Sequence, residues 1–75
     1  MKIVKIERIP RSLSCYLIAD NGIYYKIIGY HSWTYSKYYL HQEFLLAIPL
    51  YTNNIISAIN KAIKILEENN AEENN

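Results

Sequence analysis

Apolar and β-branched residues are concentrated in three short segments of the first half of the chain. Residues 2–9 contain four β-branched residues and stop at Pro10. Their apolar spacing is nearer three than two, so periodicity alone does not distinguish helix from strand, but the β-branched content and the flanking proline favour a strand. Two further apolar segments flank Asp20-Asn21-Gly22. The pattern predicts strands near 2–9, 14–20 and 23–29.

The second and third segments are joined by an Asn-Gly pair, which is typical of a β-hairpin because both residues tolerate positive φ. Two registers are open. A two-residue turn pairs Asp20 with Ile23, whereas a three-residue turn with a bulge pairs Ala19 with Ile23. In the first register, one face carries Tyr16, Ile18, Tyr25 and Ile27. We favour the second register because it leaves one face wholly apolar. That face then consists of Cys15, Leu17, Ala19, Ile23, Tyr25 and Ile27, and the other carries Tyr16, Ile18, Tyr24 and Lys26.

The spacing of apolar residues in the second half of the chain predicts helices. Residues 35–47 place tyrosines and leucines at three- and four-residue steps, which fits a helix, although tyrosine-rich sequence also suits a strand. Pro49 ends any helix there. A clearer apolar stripe at helical spacing follows Asn53 and Asn54, either of which can cap a helix that runs to about Asn69. The stripe consists of Ile55, Ile56, Ile59, Ala62, Ile63 and Leu66.

These elements predict an α+β fold with a small three-stranded, mainly antiparallel sheet. The sheet consists of the hairpin 14–29 plus the N-terminal strand, and it is packed by the C-terminal amphipathic helix and a second helix. We expect residues 1–68 to form a single domain and residues 69–75, which have no apolar residue larger than alanine, to form a disordered acidic and Asn-rich tail. A lone cysteine excludes an intramolecular disulfide, so a core or a second chain must supply the stability.

Charge is unevenly distributed along the chain. Residues 1–41 hold six basic and two acidic side chains, or +4, and residues 42–75 hold two basic and five acidic ones, or −3. Such polarity can orient a protein toward an anionic partner. The candidate nucleic-acid-binding residues are Lys2, Lys5, Arg8, Arg11, Lys26 and Lys37.

Aromatic residues cluster in the same half. Seven of the eight tyrosines and the only tryptophan lie between residues 16 and 41. Tyrosine and tryptophan are enriched among the residues that dominate protein interfaces, and they also stack on nucleic-acid bases. A net charge of +1 fits a protein partner better than a nucleic acid. The candidate partner-binding residues are Tyr16, Tyr24, Lys26, Tyr30, Trp33, Tyr35 and Tyr38.

No motif in the chain indicates catalysis or metal binding. His41 and Glu43, with His31 nearby, are the closest arrangement, but on a helix they diverge by about 200°, and zinc needs a third protein ligand. Cys15 lies among apolar residues and fits a small buried hydrophobe. We therefore expect a non-enzymatic protein with no metal, no cofactor and no small-molecule substrate.

Charged residues interrupt the first nine positions, and the longest apolar run has seven residues, so we expect neither a secretory signal nor a membrane span. This predicts an intracellular, cytoplasmic protein. Abundant Ile, Asn, Tyr and Lys, which A/T-rich codons encode, suggest a viral or mobile-element source. The functional prediction is a small binding protein whose Tyr/Trp-rich surface acts on a protein partner or mediates homodimer formation. The alternative is a DNA- or RNA-binding regulator that uses the basic, aromatic N-terminal half.

Overall fold

The computed structural model of the protein describes residues 1–31, 36–41 and 47–73. Within these ranges it confirms the α+β class, with one antiparallel sheet of five strands rather than three, and one helix. The strands follow one another in space in the same order as along the chain. The elements are β1 (Ile3–Arg8), β2 (Cys15–Ala19), β3 (Tyr24–Gly29), β4 (Tyr38–His41), β5 (Ile48–Pro49) and α1 (Ile55–Glu73).

The hairpin between β2 and β3 has the favoured register. Ala19 N donates to Ile23 O at 3.0 Å, and Asn21 Oδ1 accepts from Ile23 N at 3.0 Å. Gly22 has a φ of +86°, which an L side chain adopts only with strain. The three-residue turn is therefore confirmed, and with it the division of the hairpin into an apolar and a tyrosine-bearing face.

The N-terminal strand is also confirmed as β1, which pairs antiparallel with β2. The register shifts between Ile3 and Lys5, where a bulge accommodates Val4. β1 is the outer strand of the sheet, and most of its side chains are exposed.

The predicted helix over 35–47 is wrong where the structure describes that segment. Residues Tyr38–His41 form β4, which pairs with β3, and Ile48–Pro49 forms β5 beside it. Burial alternates along β4, with Tyr38 and Leu40 buried and their neighbours half-buried, as the period of a strand requires. Pairing with β3 thus overrides the helical spacing of the tyrosines. Residues 35 and 42–46 of the predicted helix lie outside the described residues.

The C-terminal helix is confirmed, and its cap is Asn54. The Oδ1 atom of Asn54 accepts a hydrogen bond from Ser57 N at 3.1 Å. The helix ends at Glu73, beyond the predicted end near Asn69. Its predicted apolar stripe packs against one face of the sheet except for Ile56, which is 62% exposed. The resulting core consists of Cys15, Leu17, Ile27, Tyr38, Leu40, Leu50, Ala58, Ile59, Ala62 and Leu66.

Candidate partner-binding surface

The helix covers one face of the sheet, and among the described residues no helix or strand packs on the other face. We call this other surface the open face. The side chains of alternate strand residues lie there, because neighbouring residues of a strand point to opposite sides. In the observed registers its members are Lys5, Glu7, Tyr16, Ile18, Tyr24, Lys26, Ile28, Tyr39 and His41.

The first aromatic pair of the open face joins β2 to β3. The rings of Tyr16 and Tyr24 meet edge to face, with centroids 5.8 Å apart and planes at 68°. Lys26 Nζ lies 5.6 Å from the centroid of Tyr16, an arrangement in which the cation is attracted by the ring. Tyr24 is 60% exposed. This group therefore offers a large, partly rigid aromatic surface to solvent.

A second aromatic pair borders a depression beside β4. The rings of Tyr30 and Tyr39 are 5.7 Å apart at 78°. Together with His31, His41 and Ala47, they line a depression of about 480 Å³. The Nε2 atom of His41 is buried, and no group in the described part of the chain forms a hydrogen bond with it. A buried nitrogen without a hydrogen bond costs about 1–3 kcal/mol.

The basic residues predicted to bind nucleic acid do not gather on this face. Lys5 Nζ lies 3.8 Å from a carboxylate oxygen of Glu7, which partly neutralises it. Arg8 is opposite Cys15, on the helix side of the sheet. Arg11 lies in the exposed turn after β1 with a φ of 60°. The backbone N–H of Lys2 bonds to a side-chain oxygen of Asp20 at 3.3 Å, at the far end of β1.

Lys26 and Lys37 are the two remaining basic candidates, and both are half-buried. Lys37 directly precedes β4, where its carbonyl accepts from Tyr30 N at 2.8 Å. Lys26 is the only basic candidate beside the Tyr16 ring in the described contacts.

Four of the predicted partner-binding residues have exposed or half-buried side chains on or beside the open face: Tyr16, Tyr24, Lys26 and Tyr30. Tyr38 belongs to the core instead and is only 4% exposed, because it falls on the helix-facing side of β4. It is therefore not available to a partner. Trp33 and Tyr35 lie outside the described residues.

Two residues of the open face, Tyr39 and His41, were missed as partner-binding candidates. The sequence contained their signal, since alternation along a strand puts them on one side. The three- and four-residue spacing of apolar residues in 35–47 favours a helix, and on a helix these two residues do not share a face.

The other candidate chemistry does not assemble in the structure. Cys15 is fully buried, and burial raises the pKa of its thiol, while nearby Arg8 acts in the opposite direction. In residues 1–31, 36–41 and 47–73 no three His, Cys, Asp or Glu side chains are close enough to hold a metal ion. Glu43 lies outside those ranges. No helix in the described part of the chain is long and apolar enough to span a membrane.

No protein-family model matches the chain, and no curated protein or solved structure is significantly similar to it.

Proposed function

We propose that the protein is a non-enzymatic binding protein whose open face docks on a protein partner. The observation that supports this is the concentration of tyrosine rings on one side of the sheet, where no described element covers them. Tyrosine gives a large contact area at a low entropic cost, and such residues dominate the energy of many interfaces. Half-buried isoleucines between the rings add apolar area.

The depression at the end of this face gives the proposed interface an anchoring point. Its lining includes Tyr30, Tyr39 and His41. A partner side chain with an apolar stem and a polar tip, such as tyrosine or glutamine, fits this chemistry. The stem would contact the rings, and the tip would lie beside the side chains of His31 and His41.

Nucleic-acid binding remains the alternative, but the basic side chains give it little support. A single-strand binder needs cations beside its stacking rings in order to neutralise phosphates. Lys26 lies beside the Tyr16 ring, but Lys5 lies near Glu7, and Arg8 lies on the other side of the sheet.

The test compares two exposed tyrosines, one on the open face and one away from it. Tyr24 is 60% exposed and Tyr51 is 68% exposed. The immobilised protein is incubated with an extract of the cells that produce it, and the affinity for the retained protein is then measured. We expect Tyr24→Ala to weaken binding about tenfold or more, and Tyr51→Ala to leave it nearly unchanged. Thermal unfolding of both variants checks that they fold.

Equal loss of binding in the two variants, or none in either, would contradict the proposal. A parallel titration with single-stranded oligonucleotides tests the alternative. Binding that weakens steeply with salt and depends on Tyr24 would replace the protein partner with a nucleic acid.

A further inference from the structure

Strand β1 is one edge of the sheet, and none of the described residues pairs with its outer side. The opposite edge, β5, has only two residues, one of them a proline, and so offers few groups for pairing. β1 has six residues and no proline. Its Val4 and Ile6 side chains are 63% and 45% exposed. A long edge strand with exposed apolar side chains is a template for pairing with another chain.

The hydrogen bonds between β1 and β2 determine which backbone groups point outward. Ile9 N donates to Ser14 O at 3.1 Å, so these two residues form a hydrogen-bonded pair. Such pairs alternate along antiparallel strands. The backbone of Glu7 therefore also bonds to β2, whereas the N–H and C=O groups of Ile6 and Arg8 point away from the sheet. No described residue bonds to these outward groups.

These outward groups allow two copies of β1 to pair antiparallel, and the charges select the register. A pair centred on Lys5 would place two lysines directly opposite, and a pair centred on Glu7 would place two glutamates opposite. Like charges in these positions destabilise a sheet. In a pair centred on Ile6, Lys5 of each copy faces Glu7 of the other, so both cross-strand pairs are attractive. The two Ile6 side chains also meet at the centre and bury each other.

We propose that β1 pairs with β1 of a second copy in the register centred on Ile6. The resulting dimer has a two-fold axis perpendicular to the sheet, so each copy uses the same self-complementary surface. Two five-stranded sheets join into one of ten strands, with both helices on one side and both open faces on the other. The dimer does not depend on the proposed function, but it would present two copies of the open face side by side.

The helix leaves room for this dimer. A carboxylate oxygen of Glu67 accepts from Ile3 N at 3.1 Å, so the side chain of Glu67 reaches β1 at Ile3. Ile3 is three residues from the axis at Ile6. The two contacts between Glu67 and Ile3 therefore lie about 20 Å apart along the paired strands. Packed helices lie about 8–10 Å apart, so the two do not collide.

The test is reversal of one charge in each of two variants, Lys5→Glu and Glu7→Lys. Each variant alone places like charges in both cross-strand pairs, whereas an equimolar mixture restores two attractive pairs between different variants. Both side chains are exposed, at 66% and 52%, so the monomer is expected to fold in each case. Circular dichroism and thermal unfolding check this expectation.

Sedimentation equilibrium from about 10 µM to about 1 mM gives the association state of each sample. We expect the wild type to shift toward twice its 8.8 kDa mass, each variant to associate at least about tenfold more weakly, and the mixture to recover wild-type association. A monomeric wild type at about 1 mM would overturn the proposal. So would a dimer that either variant leaves intact, or a mixture that associates no better than its components.

Discussion

At the residue scale, Ser36 joins the start of β4 to the chain that follows β5. It is only 4% exposed. Its Oγ atom donates to Tyr38 O at 2.7 Å and accepts from the N–H groups of Leu50 and Tyr51, both at 3.1 Å. A hydroxyl can donate and accept at once, which neither an amide hydrogen nor a carboxylate oxygen can do. The two short strands that border the open face are held together in part by this one side chain.

We expect Ser36→Ala to lower the free energy of unfolding by about 1–2 kcal/mol, because the three hydrogen bonds of the buried hydroxyl are lost and Tyr51 N–H loses its acceptor, although Leu50 N–H keeps its bond to Tyr38 O. Urea unfolding measures the change. Ser57→Ala is the matched control, since Ser57 lies in the first turn of α1 and its backbone N–H keeps its bond to Asn54. We expect that variant to stay within about 0.5 kcal/mol of the wild type. Equal effects of the two substitutions would show that the Ser36 hydroxyl has no special role.

At the element scale, the hairpin is predictable from sequence and β4 is not, and the reason is the range of the interactions involved. The turn at Asn21-Gly22 and the division of the two faces are local properties, so they specify the register without the rest of the fold. The segment around Tyr38 carries apolar residues at helical spacing and a composition that also suits a strand. Pairing with β3 decides between them, and no local pattern reveals that pairing.

The candidate site likewise has a part that the local sequence predicts and a part that depends on long-range pairing. Tyr16, Tyr24 and Lys26 belong to the hairpin, and their shared face follows from its register. Tyr39 and His41 join that face only because β4 is a strand next to β3. Tyr39 and His41 therefore belong to the open face only because β4 pairs with β3, and the two strands are separated in the sequence by the connection after β3.

The sequence does not decide whether Asn53 or Asn54 caps the C-terminal helix. In the structure the Oδ1 atom of Asn54 bonds to Ser57 N, and Asn53 is exposed and has no side-chain hydrogen bond with any described residue. We expect Asn54→Ala to reduce stability by about 1 kcal/mol, because one N–H of the first turn loses its acceptor. Asn53→Ala should change it by less than about 0.5 kcal/mol. Chemical denaturation of the two variants measures both values, and a larger loss for Asn53→Ala would move the cap by one residue.

At the scale of the whole molecule, the helix and the sheet of the described residues enclose a hydrophobic core. Cys15 is 0% exposed within it, on the central part of the sheet beneath the helix. No reagent reaches the sulfur unless the helix and the sheet separate. Its reactivity therefore reports opening of the whole fold rather than fraying of one element.

We expect the thiol of the native protein to react with an aromatic disulfide reagent about 10³-fold or more slowly than the thiol of the protein unfolded in guanidinium.

Burial also raises the pKa of this thiol above its ordinary value of 9.0. The folded state then holds the proton more tightly than the unfolded state, so the associated stability is present below that value and is lost as the pH rises through the folded pKa. Cys15→Ala removes this titration. The stability advantage of the wild type over the variant should therefore shrink between about pH 8 and pH 10. A thiol that reacts quickly under native conditions would mean that the core opens locally beside β2 and that α1 does not shield it. An advantage that grows with pH would mean that the charge of Arg8 lowers the pKa of the thiol more than burial raises it.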